Sequence, residues 1–171
     1  MPMLKKLFAA LQPYLQDLPP WGVAAAVTVT LLVGFAMKKQ DRNHIPATWF
    51  TVFYLCLVYT STVLSRIPRG EVGIVLKPFW SYAQWIQGND LFLKYIVLNI
   101  LMLLPVGISL CYIWQNRKKI VAFGFAFSCL IETSQLLTSR GLFEVDDIIH
   151  NTAGVALGIL IYKVVEDKKI F

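Results

Sequence analysis

Five long apolar stretches alternate with polar connections along this chain. They cover about residues 21–37, 46–64, 91–114, 120–137 and 148–165. Each is close to the ~20 apolar residues that a helix needs to cross a bilayer. Helices that cross a membrane one after another must alternate in direction. We therefore predict an all-α fold, a polytopic membrane bundle of about five transmembrane helices in which residues 21–171 form a single domain.

Residues 1–20 have a different pattern. Their apolar side chains recur at intervals of three and four between polar ones, namely Leu4, Leu7, Phe8, Leu11, Leu15 and Leu18. This spacing is typical of an amphipathic helix, and Pro13 should kink or split it. A helix lying on the membrane surface and a solvated, partly ordered terminus both fit the pattern.

One connection is much longer than the others. Residues 65–90 contain Trp80, Tyr82 and Trp85 among several prolines and glycines. The segment is too polar to span a bilayer and too aromatic to be a free linker. Because Trp and Tyr are enriched at the membrane–water interface, we predict that it lies there.

The composition agrees with a membrane protein. Hydrophobic residues make up 57% and charged residues 15% of the chain, against about 45–50% and 25% in soluble domains. The net charge of +6 raises the question of nucleic acid, but the basic residues flank apolar runs and form no stripe interleaved with aromatics. The composition therefore argues against a water-soluble enzyme and predicts no nucleic-acid partner.

The orientation of the protein in the membrane is predicted by comparing the number of basic residues in alternate connections, because the side with more of them is normally cytoplasmic. Nine lie on one side: Lys38, Lys39, Arg42, Arg117, Lys118, Lys119, Lys163, Lys168 and Lys169. Seven lie on the other: Lys5, Lys6, Arg66, Arg69, Lys77, Lys94 and Arg140. This bias predicts an external N-terminus and a cytoplasmic C-terminus, with residues 65–90 and 138–147 facing outward.

Polar side chains inside the spans are the candidate site residues, because such groups are costly in hydrocarbon and normally face a partner or a cavity. They fall late in the second and fourth spans and early in the third and fifth, which places them in the same half of the bilayer. The predicted pocket residues are Arg66, Asn99, Glu132, Gln135, Arg140, Asp146, Asp147 and Asn151.

Two readings of Glu132 remain open. It could form an ion pair with Arg66 or Arg140 that steadies the bundle, or it could act as a general acid/base or bind a polar head group. Asp147 is the second candidate acid/base. Asp146 and Asp147 also suit the N-terminus of a helix, where the macrodipole favours negative charge.

A metal site is not predicted. Glu144, Asp146 and Asp147 could offer oxygen ligands to a divalent cation, but acidic triplets in connections are common. His150 has no second histidine at ligand spacing, so we interpret it as a packing or hydrogen-bonding residue. Because no phosphate-binding loop or nucleophile motif is present either, we predict no cofactor.

Two glycines continue the polar stripe of the fifth span. Asp147, Asn151, Gly154 and Gly158 lie at helical spacing on one face. A Gly-x-x-x-Gly pair lets a neighbouring helix approach closely. We therefore predict close helix packing at Gly154 and Gly158.

The ordered set of motifs resembles the VanZ-like family of bacterial membrane proteins. The resemblance covers about residues 50–162 and rests on runs in four spans: Ser65-Arg66-Ile67-Pro68, Lys77-Pro78-Phe79-Trp80-Ser81-Tyr82, Asn99 with Leu104-Pro105-Val106-Gly107, Glu132-x-x-Gln135, and Asp146-Asp147-Ile148-Ile149-His150-Asn151-Thr152-x-Gly154-x-x-x-Gly158. Glu144 stands where the family usually has aspartate. The resemblance implies a protein of the bacterial cell membrane and low-level resistance to the lipoglycopeptide teicoplanin.

Three functional hypotheses are compatible with these residues. In the first, an outward-facing polar pocket binds or alters the exposure of a cell-envelope component, with membrane lipids and a lipoglycopeptide or peptidoglycan precursor as partners. In the second, the protein is an intramembrane enzyme acting on a lipid-linked cell-wall precursor, with Glu132 or Asp147 as general acid/base. In the third, the polar set serves only membrane assembly.

Overall fold

A computed structural model describes residues 19–36, 44–68 and 73–168. Within these ranges six α-helices follow one another: α1 (Pro20–Ala36), α2 (Ile45–Tyr59), α3 (Trp80–Ile86), α4 (Asp90–Cys111), α5 (Arg117–Leu137) and α6 (Val145–Lys168). A π-helical turn, Thr60–Leu64, extends α2. The predicted amphipathic segment before Pro19 lies outside the described residues, as do Lys38, Lys39, Arg42, Arg69 and Lys169 of the charge comparison.

Four helices of the described chain are long and apolar enough to cross a membrane: α2 with its π turn, α4, α5 and α6. The first apolar helix, α1, is shorter and packs against α2. The all-α membrane bundle predicted from the apolar runs is therefore confirmed. Most ends of the apolar helices lie within three residues of the predicted bounds, because each helix ends close to where its apolar run ends.

The most extensive contact between described helices joins α4 and α6. Gly154 lies directly against the backbone carbonyl of Ile100, and Gly158 against that of Leu104. A Cβ atom at either glycine would collide with that carbonyl, so the close packing predicted for the pair is present. Pro105 lies inside α4 without ending it.

A short parallel ribbon ties residues 65–90 to one end of the bundle. Its strands β1 (Ile74–Val75) and β2 (Phe143–Glu144) pair with Ile74 opposite Phe143. The α3 helix follows β1 and packs against α4. Several large apolar side chains here stay exposed, including Ile67 at 81% and Ile86 at 79%. This apolar face fits the predicted position at the membrane interface.

Candidate functional site

The candidate site lies at the end of the bundle that carries the ribbon and α3. Here α2 and α5 end and α4 and α6 begin. The predicted polar residues reach this end from these four helices and their connections. We use the name polar recess for a group of five residues that hydrogen bonds or charge interactions join: the predicted pocket residues Arg66, Asn99, Glu132 and Asp147, and Glu144, which the sequence offered only as a weak metal candidate.

Two carboxyl groups of the recess are held by hydrogen bonds. Glu132 is only 1% exposed, and its Oε2 accepts a bond of 3.0 Å from the backbone N–H of Glu144. Asp147 Oδ1 accepts a bond of 2.6 Å from Asn99 Nδ2. The two carboxyls are near enough for their charges to interact. The recess therefore brings together one carboxyl group from α5 and one from α6, and a hydrogen bond holds each of these carboxyl groups in position.

The cation of the recess is Arg66, which follows the π turn of α2. Its side chain is exposed, and its charge acts on Glu132, Glu144 and Asp147. Partial burial raises the pKa of the Glu144 carboxyl above its ordinary value; the Asp146 charge adds to the rise and the Arg66 guanidinium opposes it. The recess thus combines an accessible guanidinium with three carboxyl groups.

The ion pair proposed for Glu132 is not formed with either arginine. In the part of the chain that the structure describes, the one ion pair within 4.0 Å joins Arg117 to Glu166, at 3.6 Å and at the opposite end of the bundle. Glu132 instead uses a backbone amide as its partner. Arg140 instead binds the last carbonyls of the π turn that extends α2.

Gln135 and Arg140 donate hydrogen bonds to the last carbonyls of the π turn. Gln135 Nε2 donates to the carbonyl of Thr62 at 3.1 Å, and Arg140 Nη1 donates to the carbonyls of Val63 and Leu64, both at 3.3 Å. The last carbonyls of a helix have no partner within it, and these side chains supply one. Both predicted pocket residues therefore bind the backbone that precedes Ser65 and Arg66.

Asp146 holds α3 against the bundle. Its Oδ1 accepts from the backbone N–H of Phe79, and its Oδ2 accepts from the N–H and hydroxyl of Ser81 at 2.8 and 2.6 Å. Phe79 has a left-handed backbone with φ of 62°, a strained conformation for a residue with a side chain. Asp146 and Asp147 lie in the first turn of α6, the helix-terminal position predicted from the sequence, and Asp146 in addition binds the start of α3.

Two further residues of α6 face neighbouring helices. Asn151, predicted for the pocket, donates to Ser128 Oγ of α5 at 2.8 Å and is 1% exposed. His150 is buried against the ring of Tyr82, with ring centroids 5.4 Å apart. Sequence reasoning gave no role to Ser81 or Ser128, because a serine in an apolar or aromatic run carries no signal of its partner.

The three acids weighed as metal ligands, Glu144, Asp146 and Asp147, have other roles in the structure. Both oxygens of Asp146 bind α3, Asp147 binds Asn99, and Glu144 offers its backbone N–H to Glu132. Among the described residues, no three His, Cys, Asp or Glu side chains are arranged to hold a metal ion. The described chain therefore offers no metal-binding cluster at this end.

The family model described as VanZ/LLP1 matches residues 48–166, well over half of the chain. The chain belongs to the VanZ/LLP1 family. No curated protein and no solved structure matches it. The matched range contains α3, α4 and α5 and most of α2 and α6. Every recess residue of this VanZ/LLP1 protein therefore lies within the family domain, and α1 precedes it.

Proposed function

We propose that this VanZ/LLP1 membrane protein binds a polar component of the bacterial cell envelope in the polar recess, and that this binding gives low-level resistance to teicoplanin. The observation that carries the proposal is the convergence of Glu132, Glu144, Asp147 and Arg66 from separate elements at one end of the bundle. Charged groups inside a membrane protein are costly and normally mark a functional site.

The chemistry of the recess suggests the class of ligand. An exposed guanidinium binds phosphate or carboxylate with two parallel hydrogen bonds. The carboxyl groups of Glu132 and Asp147 can accept bonds from hydroxyl, amide or amine groups. Sugar and peptide groups attached to an anionic linker, as in a peptidoglycan precursor, would satisfy both kinds of partner.

The neighbouring apolar surface supports a ligand attached to lipid. Ile74, Leu76 and Ile86 are between 58 and 79% exposed on β1, α3 and the residues between them. A surface of this kind beside a polar recess suits an amphipathic molecule, with its head group in the recess and its chain in the membrane. The recess would then hold envelope components at the depth of the lipid head groups.

Replacement of the Arg66 guanidinium or of the Glu132 carboxyl should abolish resistance while the protein stays in the membrane. In bacteria that express the chain, we expect Arg66→Ala and Glu132→Gln to return teicoplanin susceptibility to that of cells carrying empty vector. Both sites are outside the close α4–α6 packing, so membrane levels should hold. Lys163→Ala, an exposed cation toward the other end of α6, is the matched control and should protect like wild type.

The same variants separate binding from assembly. If Arg66→Ala and Glu132→Gln protect as well as wild type at equal membrane levels, the proposal is wrong. If protection falls only in proportion to a lower membrane level, the polar set serves assembly and the binding proposal is also wrong. Immunoblots of membrane fractions supply the levels needed for this comparison.

The closeness of Glu132 and Asp147 favours an intramembrane enzyme as the second candidate. A pair of carboxyls can divide the roles of general acid and base. Incubation of the purified protein with a lipid-linked peptidoglycan precursor, followed by mass spectrometry, tests this. An enzyme would change the mass of the precursor, and Glu132→Gln and Asp147→Asn would prevent the change; a precursor that keeps its mass excludes this candidate for that substrate.

We further propose that the recess faces the outside and the C-terminus the cytoplasm, which the bias of basic residues supports. In a variant lacking Cys56, Cys111 and Cys129, we expect Gln87→Cys to react with a membrane-impermeant maleimide in intact cells. Gln115→Cys, exposed at the opposite end, should react only after permeabilisation. The reverse labelling pattern would invert the orientation and contradict an external recess.

A further inference from the structure

A second feature lies at the opposite end of the bundle, on the face between α5 and α6. A groove of about 610 Å³ runs between these helices. Ala122 and Phe125 of α5 and Ala156 and Ile159 of α6 form its walls. Both alanines are exposed, and their small side chains leave the space that the groove occupies.

The floor of the groove offers no free polar group. Its one uncharged polar residue is Thr152, whose hydroxyl donates to the carbonyl of Ile148 in its own helix at 2.7 Å. A hydroxyl satisfied in this way does not require a polar ligand. The walls and floor therefore suit a hydrocarbon chain.

The mouth of the groove is basic. Arg117 and Lys118, at the start of α5, line it at this end. Arg117 lies 5.5 Å above the ring of Tyr162 and 3.6 Å from Glu166, which fixes its position, whereas Lys118 is exposed. From Arg117 to Phe125 the helix rises about 12 Å. The basic mouth and the apolar walls therefore lie in the same order along the groove as the phosphate and the acyl chain of a lipid.

We infer that the α5–α6 groove binds one anionic phospholipid, with its phosphate at Lys118 and Arg117 and one acyl chain between the helices. Charge complementarity favours this occupant over a second copy of the chain, which itself carries a net charge of +6. A second groove, between α2 and α4, provides an internal comparison: it is also apolar, and none of the described residues that line it is basic.

Native mass spectrometry of the full chain in detergent tests the inference. The probe is an equimolar mixture of phosphatidylglycerol and phosphatidylcholine with identical acyl chains. We expect wild type to retain phosphatidylglycerol preferentially and Lys118→Gln to lower that preference about fivefold, the effect of one lysine near an anionic lipid. Lys119→Gln removes the same charge one residue away, outside the groove lining, and should leave the preference unchanged.

A variant that fills the groove tests the acyl-chain part. Ala156→Phe should reduce the retention of both lipids, whereas Ala126→Phe, at an exposed alanine of α5 outside the groove, should not. Equal retention of the two lipids by wild type, or equal effects of Lys118→Gln and Lys119→Gln, would overturn the inference. A wild-type dimer that Ala156→Phe converts to monomer with lipid retention unchanged would overturn it too, since a second copy would then cover the groove.

Discussion

Replacement of Asp146 by Ala is expected to lower the free energy of unfolding by about 3–5 kcal/mol. The side chain is 1% exposed and accepts three hydrogen bonds, from the backbone of Phe79 and from the backbone and hydroxyl of Ser81. Its loss leaves these donors without their acceptor and frees Phe79 from the contact that holds its left-handed backbone. Detergent-unfolding titrations followed by circular dichroism measure the change.

The loss of stability in Asp146→Ala should be largest at α3. We expect amide hydrogen exchange in Trp80–Ile86 to accelerate in Asp146→Ala more than exchange in α4 or α5, because the carboxylate is the anchor at the start of this helix. Asp146→Asn should fall between wild type and Asp146→Ala, since an amide keeps one acceptor oxygen. Asp90→Ala, at an exposed acid in the first turn of α4, is the control; equal losses for the two alanine variants would refute an anchoring role for Asp146.

A side chain at Gly154 should strongly destabilise the close contact between α4 and α6. Any Cβ there collides with the carbonyl of Ile100. The α4 and α6 helices, which form the most extensive contact between described helices, must then move apart. Overpacking of this kind costs about 1–3 kcal/mol, and we expect Gly154→Val to reach the upper end of that range or exceed it. The same detergent titration measures the loss.

Ala126→Val is the matched control, because it places the same side chain at an exposed position of α5 that lines neither groove. It should change the unfolding free energy by less than about 0.5 kcal/mol, as surface substitutions usually do. If both valine variants were equally stable, the close approach of α4 and α6 at Gly154 would be wrong. Gly158→Val, which meets the carbonyl of Leu104, should behave like Gly154→Val.

The candidate site was partly predictable. Because successive spans cross the membrane in opposite directions, positions late in one helix and early in the next share a leaflet. This pattern correctly brought Arg66, Asn99, Glu132 and Asp147 to one end of the bundle. It carried no information on which of the polar side chains would bind each other and which would bind backbone.

The partners of Asp146 and Arg140 illustrate that limit. Asp146 meets α3, which lies in an irregular segment whose path has no periodicity in the sequence. Arg140 meets the last carbonyls of the π turn that extends α2, where i→i+5 hydrogen bonds add a residue to the turn and rotate the residues after it. The ion-pair interpretation of Glu132 failed for the same reason, since it assumed partners from charge alone.

The sequence by itself determined the approximate bounds and membrane character of the apolar helices, and it also carried the resemblance to the VanZ-like family. These properties depend on runs of apolar residues and on ordered motifs, both of which are local. Only the tertiary structure decided that Asp146, Gln135 and Arg140 hold the backbone in place and that Arg66 stands with three carboxyls in the recess. Partner choice depends on the rotation, crossing and separation of the helices, and these are set by the packing of the whole chain.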